Sequence, residues 1–310
     1  MLNRSTPIDL ADKVSVLIKT FQRPRTVNAA VASIRRYYPK LPIIIADDSS
    51  VPIAFDNSDV TVHRLPFDSG VGKGRNFLLS QVRTPYLLMC DDDHLFTRTT
   101  RIERMLDLLD AEGFDILSCL VFEGDSWLRG PRQSWRRVAD FQMDLDLTEG
   151  TLRFMEPASG YGQQVVRCDL VHQFFLARTE AVIASGGWDE RLKTADHTDF
   201  FLRTKQAGLK VGFTPTVAVK HEDIQSERRS ADYFPFRHQR LPEFRRVWIE
   251  THSIKRLVGR NGTIINAQDF VEGRGSIGKL GNLVWRSAPP GFLLWNRFRA
   301  TGGKVLALLS

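Results

Sequence analysis

The chain has 310 residues, which is long enough to bury a full hydrophobic core in one large domain with an extension. Its apolar fraction of 42% and charged fraction of 25% are ordinary for a soluble globular protein. Three cysteines without metal-type spacing argue against a disulfide framework and favour a reducing compartment. The N-terminal residues are polar and contain no apolar core of signal-peptide or membrane-anchor length, so we expect a cytoplasmic location.

The net charge of +7 is concentrated in residues 222–310, which hold 15 Lys/Arg and 8 Asp/Glu. Beyond Glu272 no acid remains, and basic residues lie among Trp and Phe. This pattern suits an anionic membrane surface, so we expect the protein to be peripheral on the inner face of the membrane. The alternative is a helical tail whose aromatic face packs on the main domain. Nucleic acid, the other anionic partner considered, is disfavoured.

Short apolar runs alternate with amphipathic segments along most of the chain. Strands are predicted at residues 14–18, 42–46, 60–65, 86–90, 116–122, 174–177, 211–213 and 217–220. Helices are predicted at residues 24–38, 75–82, 99–109, 179–185 and 199–207, and loops and hairpins at residues 123–164. This alternation implies right-handed crossovers and a mainly parallel sheet. Because the charge balance changes after His221, we predict a domain boundary there.

Two of the predicted strands end in acidic clusters. Asp47 and Asp48 follow the second strand, and Asp91, Asp92 and Asp93 follow a strand that is apolar throughout. Because the carboxyl ends of parallel strands lie at the same edge of a sheet, both clusters can line one crevice there. This is the place where α/β sheets bind ligands. Crowded carboxylates repel each other, so we expect a cation among them, and Mg²⁺ or Mn²⁺ suits oxygen ligands and substrate phosphates best. A solvated acidic turn is the alternative.

Three glycines, Gly70, Gly72 and Gly74, precede a predicted helix. Glycines let a backbone approach a ligand closely, a helix N-terminus favours anions, and Arg75 in the first turn can grip a phosphate. A plain turn is the alternative, and the segment lacks the Gly-Lys-Ser/Thr of a Walker A loop.

The order of these motifs resembles that of inverting glycosyltransferases of the GT-A fold. The matching segments include Ile18-Lys19-Thr20-Phe21, Ile45-Ala46-Asp47-Asp48-Ser49, Gly74-Arg75-Asn76, Asp91-Asp92-Asp93 and Phe174-Phe175-Leu176-Ala177-Arg178. Within that fold the chain resembles the β-1,4-N-acetylgalactosaminyltransferases, the ganglioside-type synthases, which are related to glycosyltransferase family 2. The resemblance implies a GT-A type α/β fold with a Rossmann-like, mainly parallel sheet flanked by helices. The resemblance covers about residues 14–222. Together with the change in charge, it predicts a glycosyltransferase domain at residues 1–222 and a basic, aromatic-rich, mostly helical extension at residues 223–310.

The resemblance also implies a site for a UDP-sugar and a divalent metal. The residues implied to bind the nucleotide-sugar are Thr20, Arg23, Asp47, Asp48, Arg75, Asp91 and Asp92. Asp91 and Asp93 match an Asp-x-Asp motif and His221 matches a last metal ligand, so Mn²⁺ or Mg²⁺ is the implied cofactor. Without the resemblance, a lone His at a strand end is more typical of a surface residue. A metal that bridges both phosphates would stabilise the departing UDP.

An inverting transfer needs a base that takes the proton of the acceptor hydroxyl. The candidates are Asp196, His197 and Asp199, because many GT-A enzymes read Glu-Asp-x-Asp here and His197 occupies the usual base position. Each acid could instead cap the following helix. Trp188 and Asp189 match a Gly-Gly-Phe-Asp-Glu turn of related transferases and are implied at the acceptor site, although Trp188 could also be a core residue.

Together with these residues, the resemblance implies a metal-dependent inverting glycosyltransferase that moves a sugar from a UDP-sugar to a glycan or lipid-linked glycan. GalNAc and GlcNAc are the first candidates for the sugar. A non-catalytic glycan-binding or membrane-binding module on the same fold is one alternative. A sugar nucleotidyltransferase is another, but that chemistry needs a Gly-x-Gly-x-Arg loop after the first strand, where this chain has Lys19-Thr20-Phe21-Gln22-Arg23.

Overall fold

The computed structural model describes residues 10–55, 60–123, 135–138, 140–157, 163–222, 224–273 and 286–287. The strands are β1 (Val14–Thr20), β2 (Ile43–Asp47), β3 (Val60–Arg64), β4 (Tyr86–Asp91), β5 (His94–Leu95), β6 (Ile116–Glu123), β7 (Trp135–Val138), β8 (Asp140–Asp146), β9 (Thr151–Met155), β10 (Val166–Cys168), β11 (Leu170–Val171), β12 (Phe175–Arg178), β13 (Val211–His221), β14 (Arg256–Val258), β15 (Ile264–Asn266) and β16 (Arg286–Ser287). The helices are α1 (Leu10–Lys13), α2 (Pro24–Tyr37), α3 (Val71–Gln81), α4 (Ile102–Ala111), α5 (Thr179–Ala184), α6 (His197–Gln206), α7 (Gln225–Arg228), α8 (Leu241–Thr251) and α9 (Ala267–Glu272), with a π-helical segment at Pro235–Gln239. In the described part of the chain, no helix combines the length and the apolar composition needed to cross a bilayer.

The main sheet has the strand order β10-β13-β6-β12-β4-β1-β2-β3. The neighbours β4, β1, β2 and β3 are parallel to one another, and β13 is parallel to β6. Strand β12 runs antiparallel between β4 and β6. The predicted α/β fold with a mainly parallel sheet is therefore confirmed. The two strands predicted at residues 211–213 and 217–220 form one strand, β13, whose register shifts between Thr214 and Ala218.

Strand β1 is covered on both faces, which explains why its sequence is a continuous apolar run rather than an alternating one. Val16 and Ile18 share a hydrophobic cluster with residues of α2 and α4. Leu17, which points to the other face, packs with residues of α3 and α6. All seven residues of β1 are buried, so the strand lies at the centre of the fold.

The register of the central strands brings the two acidic clusters to one edge of the sheet. Thr20 at the end of β1 pairs with Asp47 of β2, and Lys19 pairs with Asp91 of β4. The residues that follow, including Asp48 and Asp92, therefore leave the sheet at the same edge, on either side of the end of β1. This shared edge follows from the parallel arrangement that the sequence predicts.

Helix α3 begins at Val71, earlier than predicted, and includes the second and third of the three glycines. A Cβ atom at Gly72 would collide with the carbonyl oxygen of Asp189. The backbone N–H groups of Val71 and Gly72 donate to the carbonyls of Lys193 and Leu192, at 3.2 and 2.9 Å. The glycine segment therefore serves close packing against residues 189–193, and these two N–H groups are not available to an anion. This corrects the glycine-loop prediction.

A second sheet, with the order β11-β8-β9-β14-β15, joins strands that precede His221 to strands that follow it. Strands β8 and β9 form a hairpin, as predicted for part of residues 123–164, and β14 runs parallel to β9. Trp248 of α8 and Phe270 of α9 belong to the same hydrophobic cluster as Phe200 of α6. The boundary after His221 stays a prediction. The described elements that follow it pack with the main domain. The predicted contact of the basic tail with a membrane or with the main domain concerns mostly residues 274–310. Except for β16, these lie outside the described residues.

Candidate active site

A cleft of about 190 Å³ lies at the edge of the sheet where β1 and β4 end. Of the predicted site residues, those that line it are Arg23, Arg75, Asp91, Asp92, Asp196 and His197. The other predicted residues do not line it in the part of the chain that the structure describes; they are Thr20, Asp47, Asp48, Asp93, Trp188, Asp189, Asp199 and His221. The fold thus gathers into one cleft side chains from β1, α3, β4 and the segment that begins α6.

Arg23 is held between two aspartates of the triplet. Its guanidinium pairs with Asp92, and its Nη1 atom lies 3.1 Å from Oδ2 of Asp93. Thr20 donates its hydroxyl to Oδ2 of Asp92 at 2.7 Å. Burial raises the pKa of Asp92 to about 6, against the opposing effect of Arg23. Burial would also raise the pKa of Asp93, but Arg23 and His221 hold it well below its usual range, so Asp93 stays a carboxylate at neutral pH.

Arg75 connects the aspartate triplet to the predicted catalytic segment. Its Nη2 atom lies 2.6 Å from Oδ1 of Asp91, and its Nη1 atom pairs with Asp196. Burial would lower the pKa of the guanidinium, but the two carboxylates raise it above its usual value. A buried charge needs such partners. Arg75 therefore fixes the positions of two carboxylates on the cleft wall.

Two carboxylates and one imidazole form a candidate metal site, and a second imidazole lies next to it. Oxygen atoms of Asp91 and Asp93 and a ring nitrogen of His94 all lie within 4.8 Å of one another. Nε2 of His221 lies 3.4 Å from Oδ2 of Asp93. Strand β5 pairs with β13 so that His94 and His221 face each other, with ring centroids 5.8 Å apart. Carboxylate and imidazole donors together suit Mn²⁺, so the residues fit the implied metal.

His94 is absent from the predicted ligands, although it directly follows the three aspartates in the sequence. Burial lowers the pKa of its ring, so His94 is neutral, the state in which imidazole binds a metal. The backbone N–H of Asp91 donates to its Nδ1 atom at 3.2 Å, which leaves the proton of the neutral ring on Nε2, so a metal ion would replace either that hydrogen bond or that proton. The signal that could have found His94 is its adjacency to the acidic triplet.

Asp47 and Asp48 are occupied by contacts within the protein. Asp47 accepts hydrogen bonds from the backbone N–H groups of Ser49 and Ile53, both at 2.9 Å, and so shapes the turn after β2. Asp48 pairs with Lys19 through one oxygen and accepts the N–H of Gly70 at 2.8 Å through the other. Lys19, which lines the cleft, thus stands between Asp48 and any ligand.

The three candidate bases occupy different surroundings. Asp196 and His197 line the cleft, and Asp196 is paired with Arg75. His197 has its Nε2 atom 2.5 Å from the carbonyl of Val171, and burial lowers the pKa of the ring. Asp199 is fully buried, and its Oδ1 atom lies 2.8 Å from Nε2 of His252. Of the two acids, only Asp196 is placed to meet a substrate.

Trp188 and Asp189 lie in packed surroundings. Trp188 is 2% exposed and stacks on Phe200, with ring centroids 4.2 Å apart. Of the two interpretations of Trp188, burial supports the core position, because the stacked and covered ring leaves no face for a sugar. Asp189 pairs with Arg191 at 2.5 Å, and its carbonyl oxygen contacts Gly72.

Four further polar residues of the cleft are absent from the predicted set, namely Lys19, Gln173, Tyr233 and Arg237. The last two come from the segment that follows the predicted boundary. Nη1 of Arg237 donates to the carbonyl of Lys193 at 2.7 Å, and the guanidinium of Arg23 lies over the ring of Tyr233 at 4.8 Å. In the sequence, Arg237 lies among the aromatic residues of the segment 234–238, and this is the pattern that could have drawn attention to it. Only tertiary contact places Arg237 in the cleft.

Residues 15–170 match the family model described as "Glycosyl transferase family 2". The chain belongs to glycosyl transferase family 2. It is 35% identical over 224 residues to "Beta-1,4 N-acetylgalactosaminyltransferase 1" of Rattus norvegicus, an alignment that covers 71% of this chain and 41% of the relative. The chain thus spans about two fifths of the length of this curated relative.

Solved structures show the same fold at low sequence identity. The S. aureus TarS fragment 1–349 in complex with UDP-GlcNAc has a TM-score of 0.50 and 15% identity, covering 77% of this chain and 66% of that one. GalNAc-T7 with UDP, GalNAc and Mn²⁺ has a TM-score of 0.50 and 14% identity, covering 67% of this chain and 43% of that one. At these identities the likeness concerns the fold.

Proposed function

We propose that the protein is a metal-dependent inverting glycosyltransferase that moves a sugar from a UDP-sugar to an acceptor hydroxyl. The observation that supports this most strongly is the cleft in which Arg23, Arg75 and Asp196 meet Asp91 and Asp92 at the edge of the sheet. Membership of glycosyl transferase family 2 supports the same reaction class.

The cations of the cleft are suited to the diphosphate of the donor. Lys19, Arg23 and Arg75 are paired with carboxylates, whereas Arg237 pairs with no carboxylate among the described residues. A guanidinium without a carboxylate partner attracts phosphate oxygens through charge-assisted hydrogen bonds. We assign Arg237 to the diphosphate, with Arg23 and Arg75 on either side of it.

The residues that would hold the ion are Asp91, Asp93 and an imidazole from His94 or His221. When bound, a divalent ion would neutralise the charge that develops on the departing UDP, without a proton transfer. Arg23 now contacts Asp93 and Arg75 contacts Asp91, so both guanidinium groups lie beside the same carboxylates and next to the diphosphate position.

The chemistry assigned to the chain's own residues is proton removal and orientation. The carboxylate of Asp196 takes the proton of the acceptor hydroxyl while that oxygen forms a bond to the anomeric carbon. The bond from the anomeric carbon to the phosphate oxygen breaks, and its electron pair leaves with UDP. Attack from the side opposite the leaving group inverts the anomeric configuration. Arg75 holds Asp196 in place for this step.

The donor sugar is proposed from the relatives. The name of the rat relative specifies N-acetylgalactosamine transfer, and the TarS structure contains UDP-GlcNAc, so UDP-GalNAc and UDP-GlcNAc are the proposed donors. A glycan or lipid-linked glycan is the proposed acceptor. From the sequence, we propose a cytoplasmic site of action, with the basic tail on an anionic membrane surface. Co-sedimentation with anionic vesicles, but not with neutral ones, would test the tail.

The test of the reaction is UDP release. The purified protein is incubated with Mn²⁺ and UDP-GalNAc or UDP-GlcNAc, and UDP is measured with and without candidate glycan acceptors. We expect slow hydrolysis without acceptor and loss of UDP release in Asp93→Asn. Asp107→Asn, at an exposed position on α4, is the matched control and should behave like the wild type. A folded wild type that releases no UDP from any common UDP-sugar would refute the proposal.

A further inference from the structure

Gln173 is a buried amide on the wall of the cleft. It follows β11 and lies two residues before β12, next to Phe174, which is fully buried in the core. The Gln173 side chain lines the same cleft as Arg75, Asp91 and Asp196, yet the residue is only 7% exposed. It therefore lies on the inner wall of the cleft.

Neither polar atom of this amide has a hydrogen-bond partner within the described protein. Both Nε2 and Oε1 are buried and unpaired. Buried side-chain amides are almost always hydrogen-bonded, because an unpaired amide loses its contacts with water and gains nothing in return. A donor and an acceptor, both unpaired, thus belong to a residue that lines a site with the charges needed for a nucleotide.

The partner that satisfies both atoms must offer an acceptor and a donor together. A phosphate has only acceptors at neutral pH, so it would leave Oε1 unpaired. A sugar hydroxyl or an acetamido group has both. The cations Lys19, Arg23 and Arg237 also line the cleft and serve the phosphates better than an amide does.

We propose that Gln173 hydrogen-bonds the sugar of the donor, through a hydroxyl or acetamido group, and thereby contributes to the choice of donor. This inference rests on the proposed function. Gln173 lines the same cleft as Asp196, and this supports the proposal because the transferred sugar must lie between the diphosphate and the base. Gln173 acts as a specificity-determining residue and takes no proton.

The experiment compares the binding of UDP with the binding of UDP-sugars in variants of Gln173. Gln173→Met removes both polar atoms at nearly constant volume, and Gln173→Glu keeps acceptors but loses the donor. Gln206→Met, at an exposed position on α6, is the control. Calorimetric titration with Mn²⁺ present gives the Kd for UDP, UDP-GalNAc and UDP-GlcNAc, and thermal unfolding without ligand reports the integrity of each variant.

We expect Gln173→Met to bind UDP within about twofold of the wild type and to bind at least one UDP-sugar about tenfold or more weakly, the size expected for lost polar contacts in a buried site. Its unfolding temperature should equal or exceed that of the wild type, because the change removes an unpaired buried amide. Gln206→Met should leave all values unchanged.

Other results would overturn the inference. Equal weakening of UDP and UDP-sugar would place Gln173 on the nucleotide, and unchanged donor binding with a higher acceptor KM would place it on the acceptor. A lower unfolding temperature would show that the amide is paired within the protein. If the wild type binds UDP and UDP-sugar but Gln173→Met does so equally well, this inference alone fails. If the folded wild type binds neither, the proposed function fails with it.

Discussion

Oδ1 of Asp199 lies 2.8 Å from Nε2 of His252, and both side chains are almost completely buried. Asp199 lies in the first turn of α6, and His252 is the residue at the end of α8. The contact therefore connects α6, which follows Asp196, to α8, which lies after the predicted domain boundary at His221. A buried carboxylate in this position holds the two helices together and does not reach the cleft.

We expect Asp199→Ala to reduce the free energy of unfolding by about 1–3 kcal/mol, because it leaves His252 buried without its partner. Asp199→Asn keeps an acceptor oxygen and should cost less. Urea unfolding followed by tryptophan fluorescence measures both. In a double-mutant cycle, Asp199→Ala and His252→Ala should be clearly non-additive, since each removes the same contact. Additive effects of the two changes would contradict the assigned pairing.

Asp196 differs from Asp199 in lining the cleft, so its substitution should reduce turnover. We expect Asp196→Asn to lower kcat by roughly 10²–10⁴-fold, the usual contribution of a general base. Its affinity for UDP should stay near that of the wild type. Steady-state kinetics at saturating donor, with calorimetric Kd values for UDP, separates the two quantities.

His197→Gln is the comparison for this test, since a glutamine amide can still donate to the carbonyl of Val171. If His197→Gln loses more kcat than Asp196→Asn, then the imidazole is the base and the assignment to Asp196 is wrong. Asp189→Asn, next to an exposed arginine and away from the cleft, should change kcat by less than about tenfold, because its role is structural.

Local sequence patterns were sufficient to predict the sheet and its functional edge. The apolar run of β4 and the aspartates that end it are contiguous, so burial and charge can be read from a few neighbouring residues. The role of Gly72 could not be read in this way. Its close neighbour is the carbonyl of Asp189, far along the chain, and the glycine segment therefore packs instead of cradling an anion.

The same limit applies to the residues that complete the site. His94 lies in the two-residue strand β5, and only the pairing with β13 brings it opposite His221. Arg237 reaches the cleft because the π-helical segment folds back over it, a tertiary contact that no periodicity records. The functional residues supplied by long-range packing are thus the ones that the sequence did not indicate.

The metal site can be tested without measuring activity. Mn²⁺ binding, followed by electron paramagnetic resonance of the free ion, should weaken in Asp93→Asn, His94→Ala or His221→Ala if the residue is a ligand. The loss should be at least as large as the roughly 10–100-fold that removal of an outer-shell partner costs. Chelation should also abolish UDP release, and added Mn²⁺ should restore it.

The two histidine variants identify the imidazole that contributes. One of them should lose Mn²⁺ affinity strongly, and the other should change mainly the orientation of its neighbour. Asp107→Asn on α4 should bind Mn²⁺ as the wild type does. Wild-type affinity in Asp93→Asn and in both histidine variants would exclude this cluster as the metal site.

Arg237→Ala should weaken UDP binding, because it removes the cleft guanidinium that has no carboxylate partner in the described structure. Hydrogen bonds to charged groups contribute about 1.5–3 kcal/mol, which corresponds to a Kd higher by about 10–100-fold. Arg237→Lys keeps the charge but not the planar guanidinium group, so its Kd for UDP should lie between those of the wild type and Arg237→Ala. Arg246→Ala, at an exposed position on α8, controls for the change in net charge.

If Arg237→Ala binds UDP as tightly as Arg246→Ala does, the diphosphate contact is refuted. A selective loss would instead show that residues after His221 supply part of the donor site, because Arg237 reaches the cleft only through the packing of that segment on the sheet edge.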